Sequence, residues 1–332
     1  MNYIGSKNKL TGFIKSKVHE TVGTDLSDKI FCDLFAGTGM VGRSFKTEVK
    51  SIIANDVEYY SFVLNKNYIE NTSLFEYQQF IEELNALDGI HGFISENYSE
   101  GGKAGRLYFS EENGKKIDAA RIQIEKWKKN KEIDENIYYF LLCSLLESAD
   151  KVANTASVYG AYLKNIKSSA AKPLKILPAL FEDTSRAHKV YNRDANSLIN
   201  KLKGDILYLD PPYNARQYGA NYHILNTIAK YDTFAPKGKT GLPDYFKSSY
   251  CSKNNVRESL ENLLKNADFN YVFLSYNNEG LLLPQEIKEL MKRYGSYELA
   301  TKKYQRFKAD KTENRNHTAS ETIEYLHILN KK

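Results

Sequence analysis

The sequence predicts an α/β fold: a mostly parallel sheet closed by an antiparallel C-terminal hairpin, with a mainly helical segment inserted between its two halves. Three observations carry this expectation. Apolar runs of strand length lead to acids at Asp56, Asp194 and Asp210, which a parallel sheet would line up along its carboxyl edge. Between them the segments 75–87, 114–129 and 134–154 read as helices, with Ile137, Leu141, Leu145 and Ala149 on one face of the last. The closing segments, Tyr297 to Tyr304 and Thr322 to Leu329, alternate with the period of a strand pair.

The first strand, Ile30 to Phe35, runs into Ala36-Gly37-Thr38-Gly39-Met40-Val41-Gly42, a glycine turn and helix start. Gly37 and Gly39 let the backbone approach a ligand closely and take φ values closed to other residues, and the following helix exposes its first N–H groups. The nucleoside or carboxylate end of a cofactor fits such a turn. The spacing also matches GxGxxG, which would suit a dinucleotide enzyme. The second strand, Ser51 to Asn55, ends at Asp56, close to the distance at which a carboxylate takes ribose hydroxyls in either class of enzyme; a helix N-cap ahead of Glu58 is the plainer role. After the helical stretch, Val190 and Tyr191 lead to Asp194 and Ala195, and Asp205 to Leu209 and Tyr271 to Tyr276 supply two more strands. Boundaries follow: 1–73 and 188–332 form one split domain, and 74–187 is the insertion.

Leu207-Tyr208-Leu209-Asp210-Pro211-Pro212-Tyr213 is the most specific stretch. Two prolines after an apolar strand fix φ and offer carbonyls without N–H groups, so the turn is rigid and rich in acceptors. A planar amine could donate to the Asp210 carboxylate and the Pro211 carbonyl while Tyr213 stacks on its ring. An ordinary strand-end turn with a packed Tyr213 is the alternative.

With 332 residues the chain is long enough for a large core and more than one domain. A net charge of +6, a pI near 8.8 and 25 tyrosines interleaved with lysines, as in Lys302-Lys-Tyr304-Gln-Arg306-Phe-Lys308, suit a polyanion but equally a basic solvated surface. Lys126-Trp127-Lys-Lys-Asn-Lys131 reads as an exposed helix end. Cys32, Cys143 and Cys251 are odd in number and far apart, which speaks for a reducing compartment; Cys32 should be packed in a strand and Cys251 exposed in a polar loop. No cysteine has metal-ligand spacing. The longest apolar run, Ile137 to Leu146, is too short to span a bilayer, and no signal-peptide core is visible, so a cytoplasmic protein without membrane contact is expected.

Asn2-Tyr3-Ile4-Gly5-Ser6-Lys7, then DLFAGTG from Asp33 to Gly39, the acid at Asp56 and DPPY from Asp210 to Tyr213 follow one another as in Dam-type (alpha-group) N6-adenine DNA methyltransferases, which the chain resembles. It is most similar to the FokI-like branch, because DPPY continues as Asn214-Ala-Arg216-Gln217-Tyr218 and Asn221-Tyr222-His223, with Ser249 to Lys253 and Leu274 to Gly280 further on. The resemblance implies a Rossmann-like methyltransferase sheet with an inserted helical target-recognition domain. It implies S-adenosylmethionine as cofactor, S-adenosylhomocysteine as product, no metal, double-stranded DNA as substrate and a cognate restriction endonuclease as a candidate partner. Tyr3, Gly5 and Lys7 would pack beside the methionine part of the cofactor. Gly37 and Gly39 would pass under it, with Asp33 and Phe35 nearby. Asp56 would accept the ribose hydroxyls, and Asp194 the cofactor's adenine amino group, with Ala195 beside the ring. Asp210, Pro211 and Tyr213 would hold the target adenine and Pro212 would shape the turn, Asp210 also bordering the cofactor.

For DNA contacts, Tyr159, Tyr162 and Lys164 lie in the favoured segment Ala156 to Lys175, and Arg216, Tyr218, His223 and Lys253 follow the proline turn. His223 is weighed as a structural or phosphate-contacting residue rather than a general base. Gly101 to Arg106 is a basic loop that would reach a DNA groove or merely link helices, and Thr233 to Asn255 is a long connection expected to be mobile. Other readings stay open on the residues alone: a methyltransferase of RNA or of a protein amide, a nicotinamide oxidoreductase built on the glycine turn, and a catalytically silent DNA-binding module.

Overall fold

The computed structural model describes residues 7–305 and 321–331. The expected sites at Tyr3 and Gly5, and the basic stretch from Arg306 to Lys308, lie outside the described residues. The chain divides into two compact units, one within 5–57, 184–217 and 246–332, the other within 58–183 and 218–245.

The first unit holds a seven-stranded sheet of β1 (Ile30–Asp33), β2 (Ser51–Asn55), β3 (Lys189–Tyr191), β4 (Lys203–Leu209), β5 (Asp268–Asn277), β6 (Ser296–Gln305) and β7 (Glu321–Asn330). Their order is β3-β2-β1-β4-β5-β7-β6. The first five run parallel, and β7 is antiparallel to both β5 and β6. This is the mostly parallel sheet with an antiparallel C-terminal end that the sequence predicts. From β1 the chain builds outward through β2 and β3, then returns to place β4 on the other flank of β1. The crevice beyond the carboxyl ends of β1 and β4 is therefore a topological switch point, where open α/β sheets take ligands.

The central strands are apolar because both faces are covered. Cys32, Leu207, Leu209, Val272 and Leu274 are buried with Leu260 and Leu263 of helix Val256–Asn266 and Ile287 and Leu290 of helix Pro284–Met291. β1 stops at Asp33, two residues short of Phe35, because the glycine turn begins there. β4 starts at Lys203, which pairs with Asp268.

The second unit is helical. Its core joins Ile117, Ala120 and Ile124 of helix Glu111–Lys129, Leu141, Leu145 and Ala149 of helix Glu135–Lys151, Tyr60 and Leu64 of helix Tyr59–Asn65, and Ile224 and Ile228 of helix His223–Lys230. Serine and aspartate start the two long helices: the Ser110 side chain accepts from the Asn113 N–H, and Asp134 from the Ile137 N–H at 2.8 Å. The serine cap sets the first of them going at Glu111, before the expected 114. The segment 156–175 has no helix or strand, and Asn154 pins it, donating to the carbonyls of Leu107 and Leu163 and accepting from the Lys167 N–H. All three cysteines are buried. Cys251 is not the exposed loop residue expected, because the 3-10 turn Ser249–Cys251 folds its thiol inward to donate to the Arg216 carbonyl.

Candidate active site

Four strand ends of the sheet unit bring their acids to one edge. Asp33 closes β1 and is 1% exposed; its Oδ2 accepts from the Gly42 N–H at 2.9 Å, while its Oδ1 has no hydrogen-bond partner among the described residues. Burial pushes its carboxyl up to about 7, helped by the charges of Asp210 and Asp56 and opposed by the Gly42 N–H. Gly37 and Gly39 sit at φ 52° and 77°, in the left-handed region that favours glycine. Asp56, just past β2, accepts the Gly37 N–H at 2.8 Å and so ties the glycine turn to the neighbouring strand. It is not a helix cap: that position before Tyr59–Asn65 belongs to Glu58.

Sequence reasoning missed Asn55. Its amide donates to the carbonyls of Leu34 (3.0 Å) and Arg193 (3.1 Å), and its Oδ1 accepts the Arg193 N–H, fastening the loops after β1 and β3 to the end of β2. The available signal was an amide ending an apolar strand, where burial forces it to find partners. Asp194 caps helix Ala195–Ile199, its Oδ1 accepting from the Ser197 N–H and hydroxyl, both at 2.9 Å. Ala195 is buried behind it, and Phe35 packs edge-on against Tyr250 at 5.1 Å.

Asp210 follows β4 directly, and the buried Pro211 and half-buried Pro212 and Tyr213 make the turn after it. Tyr213 is held by the Leu281 N–H, which donates to its carbonyl, and by an edge contact with Tyr276 at 6.1 Å. Lys7 is buried. Its Nζ is 3.1 Å from Asp210 Oδ1 and 2.8 Å from Glu324 Oε1, and 5.8 Å from the centre of the Tyr213 ring. Burial pushes the Asp210 carboxyl up to about 6 against the pull of Lys7, with the Glu324 charge adding to the rise.

The family described as D12 class N6 adenine-specific DNA methyltransferase matches residues 3–294. The chain belongs to that family. It is similar to the type II methyltransferase M.NlaIII of Neisseria lactamica, 61% identical over 332 residues, all of this chain and 99% of the relative. It is 40% identical to M.CviAII of Paramecium bursaria Chlorella virus 1 over 93% of each chain, and 37% identical to M.FokI of Planomicrobium okeanokoites over all of this chain but 53% of that one. The protein is thus an adenine-specific DNA methyltransferase, and methyltransferases of this family use S-adenosylmethionine. The nicotinamide alternative for the glycine turn falls with the family match.

The residues present fit that cofactor: a buried carboxylate oxygen without a partner, two left-handed glycines and a bracing acid surround one strand end of the methyltransferase. Among the described residues no group of three or more His, Cys, Asp and Glu is placed to hold a metal ion, and no helix is long and apolar enough to cross a membrane.

The residues expected to meet DNA divide by burial. Lys164, Arg216 and Lys253 are exposed, and Tyr162 and Tyr218 are half-buried, Tyr218 stacked on Tyr222 at 6.0 Å. Tyr159 is wholly buried; its hydroxyl donates to Asp150 at 2.9 Å and its carbonyl accepts from Tyr108, so its side chain is not on a surface. His223 is also buried, with its ring nitrogens 2.9 Å from the carbonyls of Ala220 and Thr240 and its pKa lowered by desolvation. Of the two roles weighed for it, this placement is the structural one. The loop from Gly101 to Arg106 is held through Arg106, whose guanidinium donates to the carbonyls of Asn97, Gly238 and Lys239.

Proposed function

We propose that the chain moves the methyl group of S-adenosylmethionine to N6 of an adenine turned out of double-stranded DNA, as the modification partner of a restriction endonuclease, in the cytoplasm. The observation that carries this reading is the pairing of a rigid acceptor turn, Asp210 to Tyr213, with the open carboxylate and glycine turn of the neighbouring strand β1. The spelling and order of these motifs, with the glycine turn before DPPY and a long insertion between them, support the Dam-type, FokI-like subclass. Residues 74–187 are the candidate target-recognition domain within the split catalytic domain.

An adenine amino nitrogen is a poor nucleophile because its lone pair is delocalised into the ring. Asp210 accepts one of its protons and the Pro211 carbonyl the other, which turns the lone pair toward the incoming methyl. Tyr213 stacks on the base, offsetting the few kcal/mol of extrusion by about 1–3 kcal/mol. S-adenosylmethionine, when bound, would supply a sulfonium methyl for one in-line displacement, in which the N6–C bond forms as the S–C bond breaks, S-adenosylhomocysteine leaves, and the methylated nitrogen loses its extra proton to water. Positioning and fixed charge can lower such a barrier by about 7–11 kcal/mol in favourable cases, so no metal is needed. Asp56 takes the ribose hydroxyls, Asp33 Oδ1 the methionine ammonium, and Asp194 and Ala195 border the cofactor's adenine.

Two cofactor-binding results are expected. Asp56→Ala weakens S-adenosylmethionine by about tenfold or more, the loss of charge-assisted hydrogen bonds, with a smaller effect on kcat. Because Asp33 must be ionised to hold a cation, the dissociation constant measured by calorimetry rises as pH falls through about 7 and levels off above it. A flat profile from pH 6 to 8 would assign the ammonium to another group. The substrate class is tested by offering duplex DNA, RNA and protein together with labelled S-adenosylmethionine: label in DNA is expected, and label in RNA or protein alone would overturn the reading.

A further inference from the structure

We propose that Lys7 and Glu324 are positioning residues for Asp210: in a buried triad of two carboxylates about one ammonium, Lys7 fixes the Asp210 side chain and favours its anionic form, while the Glu324 charge opposes that ionisation and sets its balance. The inference rests on the function proposed above and deepens it.

Topology brings Glu324 to the site. In a parallel strand the carboxyl end faces the ligand edge, but β7 is antiparallel, so its amino end arrives there instead: Glu324 pairs with Asn277 at the end of β5, and β5 in turn flanks β4, which delivers Asp210. Glu324 shares a strand face with the buried Leu326 and Ile328 and is itself 2% exposed. A glutamate in that row is costly unless a charge meets it. Lys7 does, 2.8 Å from Oε1, yet among the described residues neither Glu324 oxygen has an aligned donor, so charge rather than a hydrogen bond holds the contact.

One ammonium facing two carboxylates leaves the cluster with an excess negative charge. Stability alone would be served by one carboxylate, or by apolar residues of similar size. What the arrangement does is oppose two effects on Asp210. Glu324 favours its protonation, Lys7 its ionisation, and burial sides with Glu324. Lys7 itself stays charged, because the two carboxylates more than offset its burial. The other titratable groups facing Asp210 are Asp33 on β1, Tyr208 on β4 and Tyr213 in the turn. Lys302 of β6 is the cross-strand partner of Glu324, with its ammonium 5.6 Å from the centre of the Phe13 ring.

The test is the pH profile of kcat/KM for DNA methylation by the full chain, with the KM for S-adenosylmethionine measured alongside, in wild type, Glu324→Gln and Lys7→Gln. Wild-type transfer to adenine in DNA must be seen first; its absence would count against the proposed function and not against the triad. Given that activity, Glu324→Gln should move the acid limb down by about half a pH unit or more, because a like charge is removed. Lys7→Gln should move it up past neutrality, cutting kcat at pH 7 about tenfold or more with recovery in alkali. An unmoved limb in Glu324→Gln, a near-isosteric change, would overturn the proposal even if Lys7→Gln fails to fold. A Lys7→Gln enzyme that shows only a raised KM for S-adenosylmethionine, with its limb in place, would also overturn it and make Lys7 a cofactor contact.

Discussion

Asp210→Ala is expected to lower methyl transfer by about a thousandfold or more, at the upper end of what removing one preorganised polar group costs in other enzymes. S-adenosylmethionine binding should remain largely intact, because the glycine turn, Asp33 and Asp56 do not depend on the Asp210 side chain for their hydrogen bonds. The magnitude follows from two losses. The amine loses the charged acceptor that directs its lone pair, and the Lys7 ammonium, 3.1 Å away, is left with one carboxylate fewer. Asp210→Asn keeps the shape and removes the charge, so it should be nearly as inactive. The same reasoning fixes a pH dependence. Only the carboxylate accepts the amine proton, and its pKa lies at about 6, so transfer should fall as pH drops through about 6 and reach a plateau above it. Single-turnover rates with saturating cofactor, from pH 5 to 8, read both effects. A variant that transfers at the parental rate would remove Asp210 from the chemistry.

Asp118→Ala is expected to have the largest effect on stability, and it acts in the helical unit. Asp118 is wholly buried, and its two oxygens accept from the N–H groups of Ile94 (2.9 Å) and Ser95 (2.8 Å) and from the Tyr231 hydroxyl (2.6 Å). It thereby caps the start of helix Phe93–Tyr98 from the side of helix Glu111–Lys129 and anchors the turn at Tyr231, whose φ of 52° already strains a non-glycine residue. Removing it strands two buried N–H donors and a half-buried hydroxyl at about 1–3 kcal/mol each, so a loss of about 3–5 kcal/mol is expected after partial relaxation. Asp118→Asn, which keeps an acceptor, should lose clearly less. The chain's one tryptophan, Trp127, is buried in this same unit, so its fluorescence during urea unfolding reports the unit directly. Equal midpoints for wild type and Asp118→Ala would show that the cap contributes nothing.

The sheet was legible because its strands are short apolar runs that stop at acids, and the hairpin because β6 and β7 alternate. The placement of Asp33, Gly37, Asp56 and Asp210 at the sheet edge was legible for the same reason: each ends a strand or lies in the turn just after one, so sequence position fixes its place there. What stayed hidden was set by pairing across long separations. Asn55 gains its importance from Leu34 and Arg193, and Glu324 from an antiparallel reversal that brings a strand's start, rather than its end, to the site. In β7 the clue was present, a glutamate in step with Leu326 and Ile328, but only the register shows that this row faces inward. Tyr159 reads as a surface aromatic among lysines, yet packing against Tyr108 and Tyr222 buries it.

The most direct test of the central claim is nucleoside mass spectrometry of duplex DNA incubated with S-adenosylmethionine and either the wild-type protein or Asp210→Ala. N6-methyladenine with the wild type and none above background with the variant is the expected result. Equal N6-methyladenine from both, or a methylated cytosine in its place, would contradict the assignment of the Asp210 to Tyr213 turn as the seat of adenine methylation.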